Sequence, residues 1–150
     1  MKTWQKIALG VLAWESFWWA RRYFKRIDAY AYALQLARTL NKPLVVVGAP
    51  DMGPTRGPGC GDITIDFGKS ACPNFIQADI TKRIPLADDS AVVLVLAVLE
   101  YVDDYDGALR ELNRVAGQNL FVVRVEPWTL TSRLHWSKDW TTKRTLPVYR

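Results

Sequence analysis

The chain has 150 residues, 49% of them apolar, enough for one domain that buries roughly two thirds of its unfolded surface and too short for two. Its net charge of +5 is segregated, with eight Lys/Arg against two Asp/Glu in residues 1–43, five against eleven in 44–112, and seven against two in 113–150. One histidine and two cysteines exclude a closed zinc site, and no recognised nucleic-acid motif accompanies the basic ends, which ranks a nucleic-acid module last.

The chain opens with an apolar run, Ile7–Ala20, between Lys2/Lys6 and the cluster Arg21, Arg22, Lys25, Arg26. Glu15 and Trp18-Trp19 interrupt the run, and no small-x-small cleavage site precedes the basic cluster, so a secretory signal is not expected. Fourteen helical residues reach about 21 Å, short of the roughly 30 Å hydrocarbon core. Residues 1–28 are therefore expected to form a basic, Trp-rich amphipathic helix. Through residues 1–26 it would contact an anionic membrane surface or a protein partner.

Ala29–Leu40 has high helix propensity and is expected to be a second helix, stopped at Asn41 before Lys42-Pro43. Leu44–Val47 reads as a buried strand ending at Gly48-Ala49-Pro50. Residues 51–61 hold four glycines and two prolines without helical periodicity, so this connection is expected to be a loop. Strands are expected at Asp62–Phe67, Phe75–Asp79, Ala91–Val98 and Asn119–Val125, with a helix over Asp104–Val115 whose apolar face is Ala108, Leu109, Leu112 and Val115. Asp103 and Asp104 stand at its N-cap. Cys60 and Cys72 sit in loop-like surroundings; a disulfide across the gap is sterically open, but the expectation is reduced thiols. Residues 127–150 form a basic tail holding the lone His135, read as a surface residue.

Buried strands followed by a helix point to a parallel α/β sheet, and such sheets bind ligands at the carboxyl ends of their strands. That places any site near Asp79 and Ala97–Glu100. Glu100 and Tyr101 are the residues there able to take part in acid–base chemistry.

The stretch from Ala78-Asp79 through Ile84-Pro85-Leu86-Ala87-Asp88-Asp89-Ser90, Val98-Leu99-Glu100-Tyr101-Val102 and Ala108-Leu109-Arg110-Glu111-Leu112-Asn113-Arg114-Val115 resembles the class I S-adenosylmethionine-dependent methyltransferases of type 11. The resemblance is specific between Asp79 and Val115 and weak before Asp62. It implies an α/β fold with a Rossmann-like methyltransferase sheet, mostly parallel and of about five strands. Here the helix after the first strand is replaced by a Gly/Pro loop, and a helical extension precedes the sheet. The domain would cover 29–126, between the helix 1–28 and the tail 127–150. The resemblance further implies S-adenosylmethionine as cofactor. Gly48 and Ala49 would lie at its methionine part, Asp66 at the ribose hydroxyls, and Asp79 at the adenine amino group. Ile80 would lie against the adenine, with Ala97 at the end of the fourth strand.

The chain departs from the family's pattern where the cofactor is gripped. Its Gly-rich loop is reduced to Gly48-Ala49-Pro50, and Pro50 removes a backbone donor. Two functions are expected on this footing: a methyltransferase-like domain with weakened or lost cofactor binding, taking a small-molecule substrate if active, or an inactive scaffold attached through its Trp/basic termini. The expected location is cytoplasmic, peripheral to a membrane.

Overall fold

A computed structural model describes residues 2–48 and 59–124. Its first element is one helix, α1 (Thr3–Thr39), so the second helix expected at Ala29–Leu40 is the end of a single rod. The physical reason lies at the junction. Arg21–Asp28 contains neither proline nor glycine, and the Ala/Leu-rich segment beyond it propagates the helix at little cost. The stop at Asn41 is as expected. Asn41 adopts φ 52, and the Lys42 N–H reaches the Ala37 carbonyl at 2.9 Å, the six-to-one bond that closes a Schellman end.

The strands β1 (Leu44–Val47), β2 (Ile63–Asp66), β3 (Phe75–Gln77), β4 (Val92–Leu96) and β5 (Leu120–Val123) form one sheet in the order β3-β2-β1-β4-β5. Every pairing is parallel, with Val46 opposite Thr64 on one side and Leu94 on the other. A 3-10 turn, Leu99–Tyr101, and helix α2 (Tyr105–Ala116) make the crossover from β4 to β5. Among the described residues no helix links β1 to β2 or β2 to β3.

All of β1 and β4 is buried, and the strand period of two divides their side chains between two covers. Val45, Val47, Val93 and Val95 meet α2 through Ala108, Leu112 and Val115. Leu44, Val46, Val92 and Leu94 meet α1 through Ala33 and Ala37. Both alanines are 0% exposed. The α2 face is the expected one, extended by Tyr105, Gly107 and Ala116. Of the two candidate caps, Asp104 serves, its Oδ1 accepting from the Gly107 N–H at 2.8 Å.

The orientation of α1 follows from these contacts. It ends at the amino edge of β1, where the Val92 N–H donates to the Pro43 carbonyl (3.0 Å) and Arg38 grips Asp62 through two 2.8 Å bonds. The helix thus runs antiparallel to the strands. Residues 3–25 continue past the carboxyl edge of the sheet for about 35 Å at 1.5 Å per residue. A single apolar face is expected along this part, but Trp4, Leu9, Leu12, Trp14 and Phe17 are all exposed and, at 100° per residue, surround the axis.

The expectation of reduced thiols is overturned. Cys60 and Cys72 form a disulfide with Cα atoms 5.5 Å apart. Cys60 precedes β2 and Cys72 precedes β3, and because the two strands are parallel neighbours their entries lie side by side. Topology closes a gap that compartment reasoning left open.

On the other side of the sheet, Glu111 and Arg114 fasten the chain entering β4. Arg114 donates to the Leu86 and Ile84 carbonyls at 2.8 and 3.1 Å and to Glu111, and the Ile84 N–H donates to Glu111 at 2.7 Å. Hydrogen bonding from Arg114 is the main reason the Glu111 carboxyl sits below the usual glutamate range; the Ile84 N–H assists and burial opposes.

A carboxyl lowered on folding stabilises the protein above its ordinary value, and that contribution fades as pH falls through the lowered one. Glu111→Gln should cost about 1–2 kcal/mol at neutral pH and flatten the acid limb of the stability curve, read by urea melts at pH 7 and pH 3. Replacing both cysteines by serine should cost about 3 kcal/mol for a loop this short, seen as a lower melting temperature that reductant reproduces in the parent protein.

Candidate functional site

The parallel sheet brings four of the expected site residues to one edge. Gly48 follows β1, Asp66 ends β2, Asp79 lies two residues beyond β3, and Ala97 follows β4. Ala49 falls outside the described residues, as do the rest of 49–58, His135 and the tail.

Gly48 leaves β1 at φ +102 while its N–H donates to the Ile65 carbonyl at 2.9 Å. A Cβ at this position would meet both the Leu96 carbonyl oxygen and the Val98 side chain at 2.8 Å. The protein's own β4 end therefore already demands glycine here, whether or not a ligand does. Ala97 adopts φ 53 and donates its N–H to the Val123 carbonyl at 2.8 Å, turning the chain from β4 into the 3-10 turn. A left-handed alanine costs on the order of 1 kcal/mol and redirects Val98 toward Gly48.

The two aspartates are held by their own turns. Asp66 Oδ1 accepts from the Gly68 N–H at 2.6 Å, and its carbonyl accepts from the Ala78 N–H at 3.0 Å. Asp79 Oδ1 accepts from the Thr81 hydroxyl at 2.6 Å and the Thr81 N–H at 3.0 Å, while Oδ2 lies 3.7 Å from Lys82 Nζ. The Thr81 bonds are the largest cause holding the Asp79 carboxyl below the usual range; Lys82 adds to them and burial opposes. Asp79 is thus ionised at neutral pH, and an ionised carboxylate only accepts hydrogen bonds. Ile80 is 4% exposed and packed in the core on the α2 side, so it underlies the edge and offers almost no surface of its own.

Glu100 and Tyr101 occupy the 3-10 turn beyond β4, Glu100 half-buried and Tyr101 exposed. Sequence reading missed a charge that acts together with theirs, Arg26 of α1. Burial, then the neighbouring Arg22, lowers the Arg26 pKa, while the charges of Glu100 and Tyr101 raise it. The signal was present as spacing. Arg22, Arg26, Tyr30, Ala33 and Ala37 follow one another at three or four residues along one stripe of α1. That stripe packs on the sheet at its far end and reaches the candidate site at residue 26. No group of His, Cys, Asp and Glu able to hold a metal ion occurs among the described residues.

S-adenosylmethionine, the cofactor implied above, presents hydroxyls and an amino group. Two carboxylates on neighbouring strand ends are suited to accept from such donors, and on this chemistry the edge fits the group. Residues 59–121 match a family model described as a methyltransferase domain. No curated protein matches the chain, and no solved structure does. The match begins after Gly48 and takes in β2 to β4 and the first two residues of β5, with Asp66, Asp79 and Ala97 inside it. Over residues 59–121 the chain is thus similar to a methyltransferase domain, and together with β1 these residues build the all-parallel sheet.

Proposed function

We propose that this edge binds S-adenosylmethionine weakly, Asp66 accepting from the ribose hydroxyls and Asp79 from the adenine amino group. The observation that carries the reading is the placement of these two carboxylates on adjacent ends of parallel strands, with Asp79 held ionised by Thr81. When bound, the cofactor supplies an electrophilic methyl group on a sulfonium centre. The chain's part is to orient it and to exclude water, and Ile80 supports the edge from below. Glu100 and Tyr101 line the β4 side, where a proton lost by an acceptor would be taken up.

Weak binding is supported by the β1 end. Gly48 is packed against Leu96 and Val98, and among the described residues no helix follows β1 to offer its N-terminal N–H groups. The acceptor is a small molecule if transfer occurs.

A second reading, an inactive scaffold attached through residues 1–26, is favoured by one observation. Large apolar side chains of α1 are exposed, Trp4 at 64% and Phe17 at 59% among them, which is unusual for a helix that faces water alone.

Titration calorimetry should show S-adenosylmethionine binding at millimolar concentration, weakened about tenfold or more by Asp79→Ala and by Asp66→Ala, with unchanged melting temperature. Absence of heat at millimolar cofactor would remove the binding proposal and leave the scaffold reading.

A further inference from the structure

We infer that the exposed part of α1 lodges in the interface of an anionic lipid bilayer and brings the carboxyl edge of the sheet to the headgroups, so that the candidate site opens at the membrane surface. The inference rests on reading residues 1–26 as a contact segment and adds the occupant and the orientation.

Direction comes first. Because α1 is antiparallel to the strands, its exposed part leaves the domain at the edge that carries Asp66, Asp79 and Glu100, and Arg26, on which the charges of Glu100 and Tyr101 act, marks the crossing point. Had the helix run the other way, its aromatics would lie at the opposite end from the site. The edge itself adds to the patch. Phe67, directly after β2, is 77% exposed, Tyr101 is 40% exposed, and Phe24 on the nearby helix is 61% exposed.

Chemistry selects the occupant. Residues 2–26 carry Lys2, Lys6, Arg21, Arg22, Lys25 and Arg26 against the single acid Glu15, a charge complementary to anionic headgroups at about 1 kcal/mol per basic residue near the surface. β5, the last strand among the described residues, also ends at this edge, at Val123. A protein groove covers one stripe of a helix, whereas Trp4, Leu9, Leu12, Trp14 and Phe17 surround this one. A helix sunk to its own diameter at the headgroup–acyl boundary satisfies all of them, with tryptophan at interfacial depth and long cations reaching the headgroups. Among the described residues no helix is long and apolar enough to cross a membrane, so the mode is lodging in one leaflet.

The test is flotation of the full chain with vesicles of phosphatidylcholine alone and with 30% phosphatidylglycerol, followed by hydrogen exchange on the bound protein. Binding should be about tenfold stronger to the anionic vesicles. The triple variant Leu12→Ser, Phe17→Ser, Trp19→Ser should lose about tenfold with far-ultraviolet dichroism and melting temperature unchanged. In the parent protein, bound vesicles should slow exchange at Phe67–Gly68 and Leu99–Tyr101 and leave Leu40–Lys42 and Asp88–Asp89 as in solution. Equal binding to both vesicle types, no binding, self-association in place of vesicle binding, or protection confined to the amino edge would overturn the inference. Each outcome is independent of the cofactor titration, so docking without cofactor binding would retire the enzyme reading alone.

Discussion

The pairing of β1 with β4 is the constraint on which the rest of the structure depends. Both strands are apolar along their length and buried on both faces, so neither face of the sheet tolerates water. One cover must come from α1 and the other from α2. Each core valine or leucine contributes about 1.5–3 kcal/mol when buried, a gain lost if either helix lifts away. The polar fastenings then sit at the margins. Arg38 with Asp62 and Lys42 with Asp89 hold α1 and its exit at the amino edge, and Arg114 with Glu111 and Asp88 holds the chain entering β4.

Much of this was legible in the sequence because the signals are local. Leu44–Val47 has no residue that an exposed strand would carry, and Ala108, Leu109, Leu112 and Val115 repeat with the helical period. What escaped was non-local or lacked punctuation. The cluster Arg21–Arg26 reads as a boundary by composition, yet nothing in it stops a helix, so the chain forms one rod. The Cys60–Cys72 bond could not be inferred from its neighbours, since it depends on β2 and β3 lying parallel and adjacent. Arg26 was hidden for the same reason, its relation to Glu100 existing only once α1 is laid antiparallel on the sheet.

The candidate site shows the same division. Sequence placed Asp66 and Asp79 at strand ends, and both lie at the carboxyl edge. It could not show that Thr81 engages Asp79 Oδ1 twice, or that Ile80 turns into the core. Nor could it show that Gly48 is required by Val98 and Leu96 independently of any ligand. A glycine at a strand end is thus an ambiguous marker, since close approach by the protein's own backbone and close approach by a cofactor demand the same residue.

The unbroken course of α1 also has a mechanical meaning. A helix of 37 residues is a rod about 55 Å long, fixed along its last turns by Ala33 and Ala37 against the two central strands and carrying no proline along its length. Without a hinge, a tilt imposed at the tryptophan-bearing end cannot be absorbed within the rod. It reaches the sheet as a torque on β1 and β4, the strands that end in Gly48 and Ala97. Whatever grips the far end of this lever therefore acts on the shape of the candidate site without touching it.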